Sequence, residues 1–251
     1  MKRIILVGAT DGIGKALAEH WASKGYWVTL MGRGAGKVEA LAGDLARRHP
    51  DATVNGVVCD LLDASRLEPA FLEALAKTGH CDLFAFVAGV MRPTDGETSA
   101  SADDREMLEV NTVAAVVLLG LAANYFRIAG RGQILGVSSI AGDRGRKGNP
   151  AYNASKAALT TFLEGLRNRL HPYGVKVTTV KPGFVATKLL GGRTGLPWTA
   201  SAEEAARTIA ERGSGATRSS TSSGAGGFSV WPSIMSPGSY SRGSARHEPQ
   251  P

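Results

Sequence analysis

Tyr152 and Lys156 stand four residues apart in the run Tyr152-Asn153-Ala154-Ser155-Lys156, a spacing that puts both on one face of a helix. A phenol titrates near pH ~10, and a neighbouring ammonium favours its anion and lowers that value. Such a pair is equipped to pass a proton. Ser139 lies thirteen residues upstream, and a hydroxyl can hold and polarise a carbonyl oxygen that is gaining negative charge. Asn111 is polar among Val110, Val113, Ala114 and Val116, which asks for a reason. Each residue alone is ordinary; the interest lies in the set. A second group is suited to phosphate. Val7-Gly8-Ala9-Thr10-Asp11-Gly12-Ile13-Gly14 follows an apolar run. Its glycines allow a tight turn and a close backbone approach to a pyrophosphate, and a helix N-terminus there offers free N–H groups to an anion.

These residues must be positioned by regular elements. Ile4-Ile5-Leu6-Val7 is continuously apolar and ends in glycine, as expected of a strand buried on both faces. Further strands are expected over 27–31, 52–59, 83–87, 132–137 and 175–180. They alternate with helices over 15–24, 38–48, 65–77, 102–128, 149–171 and 201–212, the last opening on Ser201 and Glu204 at capping-box spacing. The alternation predicts an α/β chain, a doubly wound parallel sheet of the Rossmann type with helices on both faces.

The chain has 251 residues, 43% of them hydrophobic, enough for one domain with a substantial core. The formal charge is +7, but no basic helix or aromatic-interleaved patch accompanies it, so no nucleic-acid partner is expected. Cys59 and Cys81 form no metal-spaced pair and the five histidines are scattered. No metal site is expected, and a reducing, cytoplasmic compartment fits. The longest apolar stretch, Val113 to Ala123, has eleven residues, so no transmembrane segment is expected. Residues 214–251 hold 11 Ser, 6 Gly and 4 Pro in 38 positions and read as a disordered or atypical tail. Within it only Phe228-Ser229-Val230-Trp231 suggests a strand.

The Gly8-x-x-x-Gly12-x-Gly14 loop and the Tyr152-x-x-x-Lys156 pair resemble those of the short-chain dehydrogenase/reductase family, with Val7 in place of the family's threonine. The likeness covers about residues 3–212 and makes 1–213 the dinucleotide-binding catalytic domain. It implies an oxidoreductase that moves a hydride between a nicotinamide and a ketone or secondary alcohol. By this resemblance Tyr152 is the general acid/base, Lys156 lowers its pKa and holds the nicotinamide ribose, Ser139 orients the substrate oxygen, and Asn111 places a water in the proton relay. The resemblance also implies that Gly8, Thr10, Asp11, Gly12, Ile13 and Gly14 bind the cofactor phosphates, and that Asp60 lies beside the adenine. Ala88 and Gly89 would face the adenosine side, with Pro182, Gly183, Val185 and Thr187 near the nicotinamide. Gly32 stands where NAD-preferring relatives carry Asp, and Arg33 follows it. A guanidinium suits a ribose 2′-phosphate, so NADP(H) is favoured over NAD(H). One departure is Phe86-Val87-Ala88-Gly89, where the family has Asn-Asn-Ala-Gly; the asparagine hydrogen bonds are lost. The family's seventh strand has no convincing candidate.

The loop Gly142-Asp143-Arg144-Gly145-Arg146-Lys147-Gly148 should border the substrate. Its three cations suit either an anionic ligand or a solvated turn. The segment 188–200, with Leu189, Leu190, Leu196 and Trp198, would cover the substrate. The basic loop is similar to that of reductases acting on a polyprenyl-phosphoryl keto-pentose. The loop Gly8 to Lys15 is similar to those of hydroxysteroid and long-chain 3-ketoacyl reductases. Sugar-phospholipid, steroid and acyl substrates all stay open. A small-molecule substrate and a homodimer or homotetramer are expected, with a peripheral membrane location if the substrate is a lipid. The alternative is a non-catalytic dinucleotide-binding sensor, which the Phe86-Val87 departure and the tail would suit.

Overall fold

The computed structural model describes residues 1–92, 102–190, 199–213 and 228–231. Strands β1 (Arg3–Val7), β2 (Trp27–Gly32), β3 (Thr53–Val58), β4 (Leu83–Phe86), β5 (Gly132–Val137) and β6 (Val175–Pro182) alternate with helices. These are α1 (Gly12–Ala22), α2 (Ala35–Arg48), α3 (Ala64–Thr78), α4 (Ala102–Leu108), α5 (Ala114–Ala129), α6 (Pro150–Leu170) and α7 (Ala202–Gly213). The sheet order is β3-β2-β1-β4-β5-β6, all parallel, with β7 (Phe228–Trp231) beyond β6. The winding reverses between β1 and β4, and a ligand crevice belongs outside the strand ends at such a switch point.

Alternation of side chains explains why the central strands are continuously apolar. Ile5, Val7, Phe84 and Phe86 enter one core with α3, α5 and α6. Ile4, Leu6, Leu83 and Ala85 enter the other with α1, α2 and α7. Phe86 is fully buried. At this position apolar packing takes the place of the hydrogen bonds that asparagine would make.

Beyond shifts of helix ends, two elements differ from the sequence expectation. The helix expected over 102–128 is broken by a π turn, Glu109–Val113, between α4 and α5. A π turn widens the helix by one residue, and here both Val110 and Asn111 are buried. The span Ala102–Ala129 is long and apolar enough to cross a membrane, with an 18-residue window of mean hydropathy 1.7. Its inner side, Ala115, Leu118, Ala122 and Phe126, is part of the core. The second difference is β7. Phe228–Trp231 pairs antiparallel with β6, Val180 opposite Val230, so this segment supplies the seventh strand for which no candidate was convincing. The rest of the expected tail, 214–227 and 232–251, lies outside the described residues.

Candidate active site

Helix α6 carries the Tyr–Lys pair, and its first turn is fixed by Asn149. The Asn149 carboxamide oxygen accepts from the Tyr152 N–H at 3.0 Å, and Pro150 occupies the first helical turn, where a missing N–H costs nothing. The Asn149 Nδ2 donates to the Arg92 carbonyl at 2.9 Å, tying the start of α6 to the segment after β4. Asn149 was not singled out as a site residue; the Asn-Pro pair before a helical run was the available signal. Ser139 follows β5 and caps a 3₁₀ turn, Ile140–Asp143, accepting from the Ala141 N–H at 3.1 Å.

These elements bring the Ser139 hydroxyl close enough to the Tyr152 phenol to act on its titration. Tyr152 is 7% exposed. Burial pushes its pKa above the ordinary phenol value, and the neighbouring Ser139 hydroxyl opposes that rise. Lys156 is buried beneath it, its Nζ 5.8 Å from the centre of the Tyr152 ring and donating to the Val137 carbonyl at 3.2 Å. Desolvation lowers the lysine to about 8. Burial, rather than the lysine charge, is thus the main influence on the phenol in this arrangement.

Asn111 reaches the same place through the π turn. Its Oδ1 accepts from the Val90 N–H at 2.8 Å, and its Nδ2 donates to the Val90 carbonyl at 2.9 Å and to the Ser155 Oγ at 3.0 Å. Ser155 in turn donates to the Tyr152 carbonyl at 2.7 Å. The carboxamide is spent on holding the strand-end segment and α6 together. Ser138, also missed in the sequence, bonds the Lys156 carbonyl and the Thr160 hydroxyl, both at 2.8 Å.

A cleft of about 960 Å³, a size suited to a cofactor, meets this group at Gly89, where a Cβ would lie 3.0 Å from the Lys156 Nζ; Asn111, Ser139, Tyr152 and Lys156 do not themselves line it. Gly8, Thr10, Asp11, Gly12, Ile13, Gly14, Arg33, Asp60, Ala88, Gly89 and Thr187 all line it. The loop at its base leaves no room for side chains. Gly8 has φ +87°, and a Cβ there would fall 2.5 Å from the Ala88 nitrogen. A Cβ on Gly14 would lie 2.0 Å from the Gly8 carbonyl oxygen. The first turn of α1 starts at Gly12 itself, and no side chain caps its amides. This cradle fits the diphosphate of a nicotinamide dinucleotide, with free N–H groups and the positive dipole end facing it. Asp60 accepts from the Leu62 N–H at 3.1 Å, which fixes its orientation at the rim. Arg33 is exposed at the other side of the rim. Nearby, Glu106 is held below the usual carboxylate range by its hydrogen bonds from Arg92, with Arg33 adding a smaller field.

Pro182 ends β6, and Gly183 and Val185 lie in the segment leading to Thr187. Val185 is buried and forms a bridge with Ala200. In the basic loop Arg144, Arg146 and Lys147 are exposed, while Asp143 pairs with Lys181. The Asn153 Nδ2 holds the Arg144 carbonyl at 3.0 Å, so the loop is anchored one residue from Tyr152. Of the expected cover over the substrate, Leu189 and Leu190 form a short 3₁₀ turn, and Leu196 and Trp198 lie outside the described residues.

The short chain dehydrogenase family model matches residues 2–194. An uncharacterised oxidoreductase of Myxococcus xanthus is 34% identical over 185 residues, covering 74% of this chain and 72% of the relative. The 3-oxoacyl-[acyl-carrier-protein] reductase of Aquifex aeolicus is 29% identical over 185 residues, 74% of each chain. Among solved structures, a short-chain dehydrogenase from Sphingobium yanoikuyae in complex with NADPH superposes with a TM-score of 0.76 at 24% identity, covering 84% of both chains. A putative NAD(P)-dependent gluconate 5-dehydrogenase from Beutenbergia cavernae, with bound NADP, gives 0.76 at 27% identity, covering 84% of this chain and 88% of that one. With the glycine cradle, the buried Tyr152–Lys156 pair and these likenesses together, the chain belongs to the short-chain dehydrogenase/reductase family and is an oxidoreductase of nicotinamide dinucleotides.

Proposed function

We propose that the protein is an NADP(H)-dependent reductase of ketones, or dehydrogenase of the matching secondary alcohols. The observation that carries this reading is the buried Tyr152–Lys156 pair on one helix face, Nζ 5.8 Å from the ring centre, with Ser139 near the phenol and the glycine cradle of the cleft nearby. A reduced nicotinamide supplies the hydride. As the carbonyl carbon receives it, charge grows on the oxygen. Ser139 holds that oxygen by a hydrogen bond, and Tyr152 delivers the proton. Lys156 stabilises the phenolate left behind and binds ribose hydroxyls. Asn111 keeps α6 and the Val90 segment in register, and a water beside it refills the proton. In alcohol oxidation the same groups act in reverse. The high phenol pKa supports the donor role, because a neutral phenol is the form that gives a proton.

Arg33 is the basis for the cofactor preference. It lines the cleft, and Gly32 before it leaves no acid to bond a 2′-hydroxyl. Titration with NADPH and NADH, followed by nicotinamide fluorescence, tests this. Tighter NADPH binding that is lost in Arg33→Ala is the expected result. A preference for NADH overturns the role of Arg33 and keeps the enzyme class. A screen of ketones against the preferred cofactor then tests turnover.

An apolar stripe favours self-association to a homodimer or homotetramer. Leu108, Val113 and Val117 are 41%, 46% and 38% exposed. The π turn spaces the first two by five residues, so that all three follow one face.

A further inference from the structure

Asp11 sits at the N-cap of α1 with extended backbone, φ −146° and ψ 161°, yet its side chain caps nothing. An aspartate there ordinarily accepts hydrogen bonds from the first free N–H groups of the helix. Those are the groups a cofactor diphosphate needs. The Asp11 carboxylate is instead drawn sideways to Lys188, Oδ1 at 3.2 Å and Oδ2 at 3.4 Å from Nζ. Lys188 opens the 3₁₀ turn after β6. Its neighbour Thr187 packs on Gly12 so closely that a Cβ on Gly12 would come within 2.9 Å of the Thr187 methyl. Two adjacent rungs, Gly12–Thr187 and Asp11–Lys188, therefore tie the phosphate loop to the post-β6 segment, and all four residues line the cleft.

We propose that Lys188 is a cofactor-positioning residue, which holds the Asp11 carboxylate off the N-terminal amides of α1 and offsets its negative charge beside the diphosphate. This rests on the assignment of the cleft to a nicotinamide dinucleotide. The pair is exposed, and as a surface ion pair it adds little to folding stability. Its effect is on the ligand. Without Lys188, the carboxylate is free to fold back as an ordinary cap, where it occupies the amides and repels the phosphates. An acidic residue in a phosphate loop then becomes intelligible: the loop tolerates it because a cation from another segment restrains it.

The test is a double-mutant cycle read as cofactor Kd, in wild type, Lys188→Met, Asp11→Ala and the double variant, with NADPH and with NADH, which share the diphosphate. Lys188→Met is expected to weaken both by about five- to tenfold. Asp11→Ala is expected to bind at least as tightly as wild type. In the Asp11→Ala background the lysine substitution should cost less than about twofold. Such rescue cannot come from a merely structural role of Lys188. An equal loss in both backgrounds makes Lys188 an independent phosphate-binding cation and overturns the proposal, as does no loss in either. Failure of wild type to bind either cofactor removes the dinucleotide assignment itself, and is distinct from both.

Discussion

Lys156 carries its charge at a cost because its ammonium is buried. Its only hydrogen bond given by the described residues is to the Val137 carbonyl, and burial brings its pKa down from 10.5 to about 8. The folded state therefore binds fewer protons than the unfolded chain between those values. Stability rises with pH across that window, since the penalty is fully present below about pH 8 and is relieved as the unfolded lysine also deprotonates. Urea unfolding of the cofactor-free protein at pH 7.5, 8.5 and 9.5 should show wild type gaining stability relative to Lys156→Met; parallel profiles would refute the assignment. Tyr152 gives the complementary test. Tyr152→Phe keeps the ring and removes the proton, so turnover should fall by about 10²–10⁴-fold while NADPH binding stays within about twofold of wild type by the differential-binding argument. A matching loss of cofactor affinity would place the phenol in binding rather than proton transfer.

Two junctions set the precision of the site at the scale of elements. The start of α6 depends on Asn149, which caps the helix at Tyr152 and also donates to the Arg92 carbonyl. Asn149→Ala should cost about 1 kcal/mol of stability, as for other lost caps. Asn149→Asp keeps the capping oxygen but replaces the donor to Arg92 with an acceptor. It should restore most of the stability in thermal unfolding while kcat stays depressed, which separates capping from alignment. Full recovery of kcat in Asn149→Asp would remove Arg92 from the account. The sequence made the strands and most helices legible because each core face writes its own period into the chain. The π turn was not legible, since one extra residue in Glu109-Val110-Asn111-Thr112-Val113 barely disturbs an apolar helical pattern. Asn111 was conspicuous for its polarity, but its bonds to Val90 and Ser155 depend on pairing across 21 and 44 residues. No local pattern encodes those contacts. The helix at Gly12 was also expected too late, because a glycine-rich turn masks the first turn of a helix that is held by the ligand cradle.

At the scale of the whole molecule, the described residues form one core on each face of the sheet. Among the described residues, Leu108, Val113 and Val117 leave an apolar group exposed on the outer face of the α4–α5 helix pair. A regular helix would rotate Leu108 away from Val113, but the π turn brings them into line with Val117. The same insertion that turns Asn111 inward thus gathers an apolar stripe outward, so the site and the proposed association surface are two sides of one irregularity. Exposed aliphatic side chains grouped in this way mark a contact surface more often than chance scatter does. Sedimentation equilibrium of the full chain should show a dimer or tetramer, and Val113→Arg with Val117→Arg should dissociate it, because two buried unpaired guanidiniums cost more than the contact supplies. If the assembly supports the site, the monomeric variant should also lose turnover, through loosening of the π turn around Asn111. Retained assembly in the double variant would move the interface elsewhere on the surface. A wild-type monomer at micromolar concentration would leave the stripe as exposed surface and end the case for self-association.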